Sequence, residues 1–194
     1  KKKIFSISQR SLRQNFFSVK SALAHAWERI EDLHKNKGKL RGVRTGFKEL
    51  DGILSGLQKS DLIVLAARPS MGKTALALDI ARSVAINEKL PVGLFSLEMS
   101  IEQLTDRFIS AEARVDLHKL RTGRLSEENG DFTNIQHALG KLSNAPIYVD
   151  DEGSNTILQM RAMARRLQAE HGLGLLVIDY LQMIHPQRGV IDNM

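Results

Sequence analysis

From Ser18, a side chain suited to cap a helix, apolar residues recur at Val19, Ala22, Leu23, Ala26, Trp27, Ile30 and Leu33. Spacings of three and four put them on one face of a helix. A single helix of this length is marginal in water, so the face needs a groove to lie in. Residues 1–17 mix Lys, Ser, Gln and Arg with isolated apolar pairs and read as a tail or linker, and His34 to Gly42 reads as a polar connector.

After Arg44 the pattern changes. Thr45 can cap a short helix carrying Phe47, Leu50, Ile53 and Leu54, and Gly56 with Gln58 to Asp61 turns the chain. The run Leu62-Ile63-Val64-Leu65 is continuously apolar with two β-branched residues, which predicts a strand packed on both faces. Helical spacing returns at Ala75, Leu76, Leu78 and Ile80 and predicts a helix over about 73–87. Further strands are predicted at Val92–Leu97, Ile147–Val149 and Leu173–Asp179. Helices are predicted from Ser100, with Gln103 at the capping-box position, up to about Leu142, and over Thr156–His171 before Gly172, with a polar loop at 121–130. Strands alternating with helices at this spacing indicate a parallel sheet with helices on both faces. The expected organisation is a tail at 1–17, a helix and connector at 18–43, and an α/β domain at 44–194.

With 42% apolar residues, 194 residues suffice for one substantial core. The absence of cysteine excludes disulfides and thiolate metal sites, and the six histidines show no metal-ligand spacing. Apolar runs fall far short of a membrane span, and the Lys-rich start lacks the apolar stretch of a secretory signal. A soluble intracellular protein is expected, with no membrane contact. The net charge of +6 is uneven: residues 1–45 hold 12 basic against 3 acidic residues, and the remainder is mildly acidic. That leading arm is either a solvated face or a surface for nucleic acid or an acidic partner.

The candidate chemistry lies between the first predicted strand and its helix. Ala67-Arg68-Pro69-Ser70-Met71-Gly72-Lys73-Thr74 matches G-x-x-x-x-G-K-[ST] apart from Ala67, at a position that serves the turn rather than the phosphate. Gly72 lets the backbone approach an anion, successive amides and the helix N-terminus point at it, Lys73 offers charge to outer phosphates, and Thr74 offers a hydroxyl to Mg²⁺. Ligands of an open parallel sheet bind beyond the carboxyl ends of its strands. Glu98 ends the second predicted strand and Asp179 the fourth. An acid after Leu175-Leu176-Val177-Ile178 suits a second Mg²⁺ contact, direct or through water, and Glu98 suits polarising a water for in-line attack on a terminal phosphate.

Four stretches carry a family resemblance: Arg44-Thr45-Gly46-Phe47 with Leu50-Asp51, Ala66 to Ala75, Phe95-Ser96-Leu97-Glu98-Met99-Ser100, and Leu176-Val177-Ile178-Asp179-Tyr180-Leu181-Gln182. Over about residues 18–185 the chain resembles the RecA-like P-loop NTPase core and, within it, the replicative DNA helicases of the DnaB family. The resemblance implies a Walker A lysine at Lys73, a Mg²⁺ ligand at Thr74, a catalytic glutamate at Glu98 and a Walker B aspartate at Asp179. Arg68, Pro69, Ser70, Met71, Gly72 and Ala75 complete the expected nucleotide-binding loop.

It further implies ATP and Mg²⁺ as ligands, single-stranded DNA as the track, and a homo-hexameric ring whose linker helix docks on the adjacent subunit. A helicase loader and primase are the implied partners of the full-length protein, and its implied location is cytoplasmic and nucleoid-associated. In the RecA-like fold a further strand, later in sequence, inserts between the Walker A and Walker B strands. The expected sheet therefore has a gap and the domain is incomplete at its C-terminal end. Two other readings stay open, a recombinase-type or clock-type RecA-like ATPase and a nucleotide-binding assembly fragment without unwinding activity.

Overall fold

The computed structural model describes residues 18–35, 40–153 and 155–184. The expected tail at 1–17 and the middle of the connector lie outside them. The chain divides into two compact units, before and after Gly42. In the first, α1 (Val19–Lys35) is the predicted amphipathic helix. Val19, Leu23, Trp27 and Ile30 are each more than half exposed. Trp27 Nε1 donates to Glu31 Oε1 at 3.1 Å across one turn. The side chains of Ala22 and Leu33 are outside the described set.

The second unit is a parallel three-stranded sheet in the order β2-β1-β3, with β1 at Val92–Ser96, β2 at Ile147–Asp150 and β3 at Leu175–Asp179. All five residues of β1 are buried. The register sets Ser96 beside Asp179 and Phe95 between Asp150 and Ile178, so the three strands end at one edge. Helices follow as α2 (Lys48–Leu54), α3 (Lys73–Asn87), α4 (Ile101–Ala113), α5 (Leu117–Thr122), α6 (Asp131–Leu142) and α7 (Ile157–His171), and a 3₁₀ turn covers Leu181–Met183.

Alternation along β1 explains why helices cover both faces. Val92 packs with Ala81, Val84 and Ala85 of α3, and Leu94 with Leu78 of α3 and with Leu104 and Phe108 of α4. Gly93 points the other way: a Cβ there would lie 3.0 Å from Leu167 of α7. Burying each of the larger side chains contributes on the order of 2 kcal/mol. Among the described residues no helix is long and apolar enough to cross a membrane.

The predicted strand at Leu62–Leu65 does not form. Residues 61–68 have no regular structure and no ladder bonds, and Leu62, Ile63, Val64 and Leu65 are all exposed. β-Branched residues fit a pleated, half-buried surface, and an extended run becomes a strand only when a neighbour pairs with its N–H and C=O groups. Among the described strands β3 pairs only with β1. The six-residue α5 was not anticipated, and it takes the start of the predicted polar loop. Its cap is Asp116, whose carboxylate accepts from the N–H groups of His118 and Lys119.

Thr45 is likewise not the cap of the short helix. The N-cap is Phe47, with no side-chain bond. Thr45, fully buried, donates through its N–H and its hydroxyl to Asp51 Oδ1 at 2.7 and 2.8 Å, and its Oγ1 accepts from Phe47 N–H at 3.1 Å. Gly46 sits at φ +92°, with a Cβ there colliding with Ser83 of α3. The Arg44-to-Asp51 signature is therefore a polar knot packed on the helix that follows the loop. Asp51→Ala leaves two buried donors unpaired, so we expect about 2–4 kcal/mol of destabilisation, read as a lower urea midpoint at unchanged slope.

A charged network joins the helices beneath. Glu112 of α4 accepts from Arg82 of α3 and, at 2.8 Å, from Lys141 of α6, while Arg82 also pairs with Asp79 at 3.1 Å. Burial works to raise the Glu112 pKa, but the bonds from Lys141 and Arg82 more than offset it and hold the carboxyl below its ordinary value. A depressed folded-state pKa contributes stability that is complete above the unfolded glutamate value and is lost as pH falls through the folded one. Urea midpoints of the native chain should therefore fall more steeply than those of Glu112→Gln as pH drops through the acid range.

Candidate nucleotide site

The start of α3, like that of α6 at Gly130, is a glycine N-cap without a side-chain bond. Its N-cap is Gly72 at φ +83°, with no side-chain cap and nothing within 4 Å of the position a Cβ would take. By contrast α4 carries a reciprocal capping box between Ser100 and Gln103, and α7 one between Thr156 and Gln159. The first intrahelical bond runs from Leu76 N–H to Gly72 C=O at 3.0 Å. The preceding amides of Lys73, Thr74 and Ala75 therefore have no partner further down the helix. Before them, Arg68 to Gly72 form an exposed loop, tightened by Met71 N–H bonding to Arg68 C=O at 3.3 Å and by Ser70 at φ +63°. Free amides at the positive end of a fifteen-residue helix make an anion cradle.

Residues from two distant parts of the chain meet there. Thr74 Oγ1 donates to Asp179 Oδ2 at 2.7 Å, and Lys73 Nζ lies 3.2 Å from Asp179 Oδ1. Asp179 ends β3 and is buried, so both contacts form away from bulk water. The same ammonium lies 4.0 Å from the centroid of the Tyr180 ring. The hydroxyl of Thr74 and the carboxylate of Asp179 form an oxygen-only donor pair, which suits a hard divalent cation.

Glu98 stands apart. It is exposed, at the tip of the turn that follows β1, and among the described residues it makes no hydrogen bond or ion pair. Two features aim that turn. Ser96 Oγ donates to Met99 C=O at 2.7 Å and accepts from Met99 N–H at 3.3 Å, while Leu97 N–H bonds to Asp179 C=O at 2.8 Å. The second bond continues the β1–β3 pairing one step beyond the strand, holding the Glu98 turn to the end of the strand that delivers Asp179. Thus Lys73, Thr74 and Asp179 are already in contact, whereas Glu98 shares their edge of the sheet and stays open to solvent. Ser96 and Tyr180 were not singled out from sequence. A lone hydroxyl at a strand end and an aromatic after an acid carry no signal of their own.

A parallel sheet with helices on both faces, an uncapped helix after a Gly-Lys-Thr loop and a strand-end aspartate bonded to both residues define a RecA-like P-loop NTPase. The DnaB-like helicase C-terminal domain matches residues 42–193. The replicative DNA helicase DnaB of Geobacillus stearothermophilus is 48% identical over 183 residues, 94% of this chain and 40% of that protein. The replicative DNA helicase DnaC of Bacillus subtilis (strain 168) is 45% identical over 192 residues, 99% of this chain and 42% of that protein. The chain thus spans about two-fifths of the length of these curated relatives. A solved structure described as an ATPase domain superposes with a TM-score of 0.81 at 31% identity, covering 91% of this chain and 61% of the other. A DnaB-like replicative helicase, described together with its interactions with primase, gives a TM-score of 0.78 at 29% identity, covering 96% and 44%. This chain belongs to the DnaB-like helicase family, through its C-terminal ATPase domain.

Proposed function

We propose that the chain is the motor domain of a hexameric replicative DNA helicase, hydrolysing ATP with Mg²⁺ to move along single-stranded DNA and open the duplex. The carrying observation is that Asp179 joins Lys73 and Thr74 at the foot of the uncapped helix α3. The triphosphate lies along Arg68 to Ala75, with backbone amides on its oxygens and Lys73 facing the outer phosphates. Thr74 and Asp179 would hold Mg²⁺, which when bound neutralises charge on the phosphate oxygens. Glu98, exposed at the same sheet edge, takes the proton of the water that attacks in line.

The exposed apolar face of α1 supports docking on the adjacent subunit of a ring, which in the full-length protein also meets a helicase loader and primase. The test is the light-scattering mass of the chain with and without residues 1–43, in Mg²⁺ and a non-hydrolysable ATP analogue, followed by turnover with single-stranded DNA. We expect the deletion to reduce a ring-sized particle to monomer while analogue binding is retained. An unchanged mass would remove the docking role, and failure of either form to bind the analogue would remove the nucleotide reading.

The uncovered run Leu62–Leu65 favours a second reading, in which the chain binds nucleotide and assembles but does not unwind DNA by itself. Binding without DNA-stimulated turnover in the same assay would select it.

A further inference from the structure

We infer that Tyr180 is a positioning residue for Lys73, its ring face holding the ammonium where the phosphates of a bound nucleotide would meet it. The inference rests on the nucleotide reading above. Lys73 Nζ has two neighbours of different kinds, Asp179 Oδ1 at 3.2 Å and the centre of the Tyr180 ring at 4.0 Å. Both are delivered by one stretch of backbone, since Tyr180 directly follows the last residue of β3. The Lys73 side chain is 28% exposed, so the ring attracts a cation already stripped of much of its water, the condition in which cation–π attraction is strongest.

The two contacts are not equivalent. An ammonium has three N–H donors on a flexible stem, and one carboxylate fixes only one direction. Asp179 is also bonded to Thr74, and it cannot serve Lys73 and a cation fully at the same time. The ring competes for neither metal nor proton, so it holds the ammonium whatever the carboxylate is doing. Among the described residues no hydrogen bond engages the Tyr180 hydroxyl, which assigns the role to the ring face rather than the phenol.

The test is the dissociation constant of the whole chain for a fluorescent N-methylanthraniloyl ADP with Mg²⁺, measured for Tyr180→Phe, Tyr180→Leu and a Tyr180→fluorophenylalanine series of one to three ring fluorines. Tyr180→Phe should bind as the native chain does, and Tyr180→Leu should bind roughly three- to tenfold more weakly. Within the fluorinated series affinity should fall stepwise, because each fluorine drains the ring face while leaving its shape nearly unchanged. That gradient separates electrostatic positioning from packing and stands even if Tyr180→Leu does not fold. A flat series in a chain that binds normally, or Tyr180→Phe binding as weakly as Tyr180→Leu, would overturn the inference and leave the nucleotide reading intact. No binding by the native chain would overturn both.

Discussion

With Glu98 replaced by Ala, the chain should keep its affinity for nucleotide and lose turnover by about 10²- to 10⁴-fold, the range that a positioned general base supplies. Separation of binding from chemistry follows from where the residue stands. The cradle is made by α3 and Asp179, none of which touches Glu98, so the ground-state contacts survive. Glu98 is also exposed and without partners among the described residues, so removing its side chain should leave the melting temperature unchanged. Glu98→Gln should match Glu98→Ala, since an amide keeps the shape but takes no proton. The measurements are phosphate release and the affinity for a fluorescent ADP. Turnover persisting near the native rate would show that another group activates the water.

Asp179→Asn should produce a different signature. Turnover should again fall by at least about 10²-fold, because the oxygen pair that suits Mg²⁺ loses its charge. Binding of ADP in EDTA, however, should become tighter, by roughly tenfold. In the native chain the ammonium of Lys73 is drawn to Asp179 at 3.2 Å, and an anion entering the cradle competes with that carboxylate. A charge-assisted bond of this kind contributes about 1.5–3 kcal/mol, and removing its anionic half frees Lys73 for phosphate. The asparagine can still accept from Thr74, so α3 stays tied to β3. Isothermal titration with and without Mg²⁺ reads both effects. Equal Mg²⁺-free affinity in the two proteins would mean that Asp179 does not restrain Lys73.

Most of this candidate site was legible in the sequence because each of its parts carries a local signal. Gly72, Lys73 and Thr74 sit next to one another at a helix start, and Asp179 closes an apolar strand, so period and spacing reveal both. Val92–Ser96 could be read as a strand from its apolar run after Pro91, and in the fold it is buried between β2 and β3. Leu62–Leu65 is more apolar still and forms no strand, because strand formation depends on a neighbour that no residue in the run encodes. Thr45 misled in another way. A hydroxyl ahead of a helix suggests a cap, yet the buried carboxylate six residues on offered it a better partner. Nor could pattern reveal the Ser96 turn or the Tyr180 ring, whose meaning comes only from what the fold brings beside them.

The polar knot at Thr45 has a mechanical side. Chain entering the second unit is fastened by Gly42 N–H to Ser55 C=O at 3.0 Å, by two opposed backbone bonds of 2.8 Å between Val43 and Leu57, and then by the grip of Asp51 on Thr45. Val43 and Leu57 lie across the base of the intervening loop, so a tug applied ahead of Gly42 is carried over to Leu57 and into the packed knot on α3. A pull on the leading segment would thus meet the Val43–Leu57 pair and the Thr45–Asp51 knot before it reached Arg68–Gly72 along the chain.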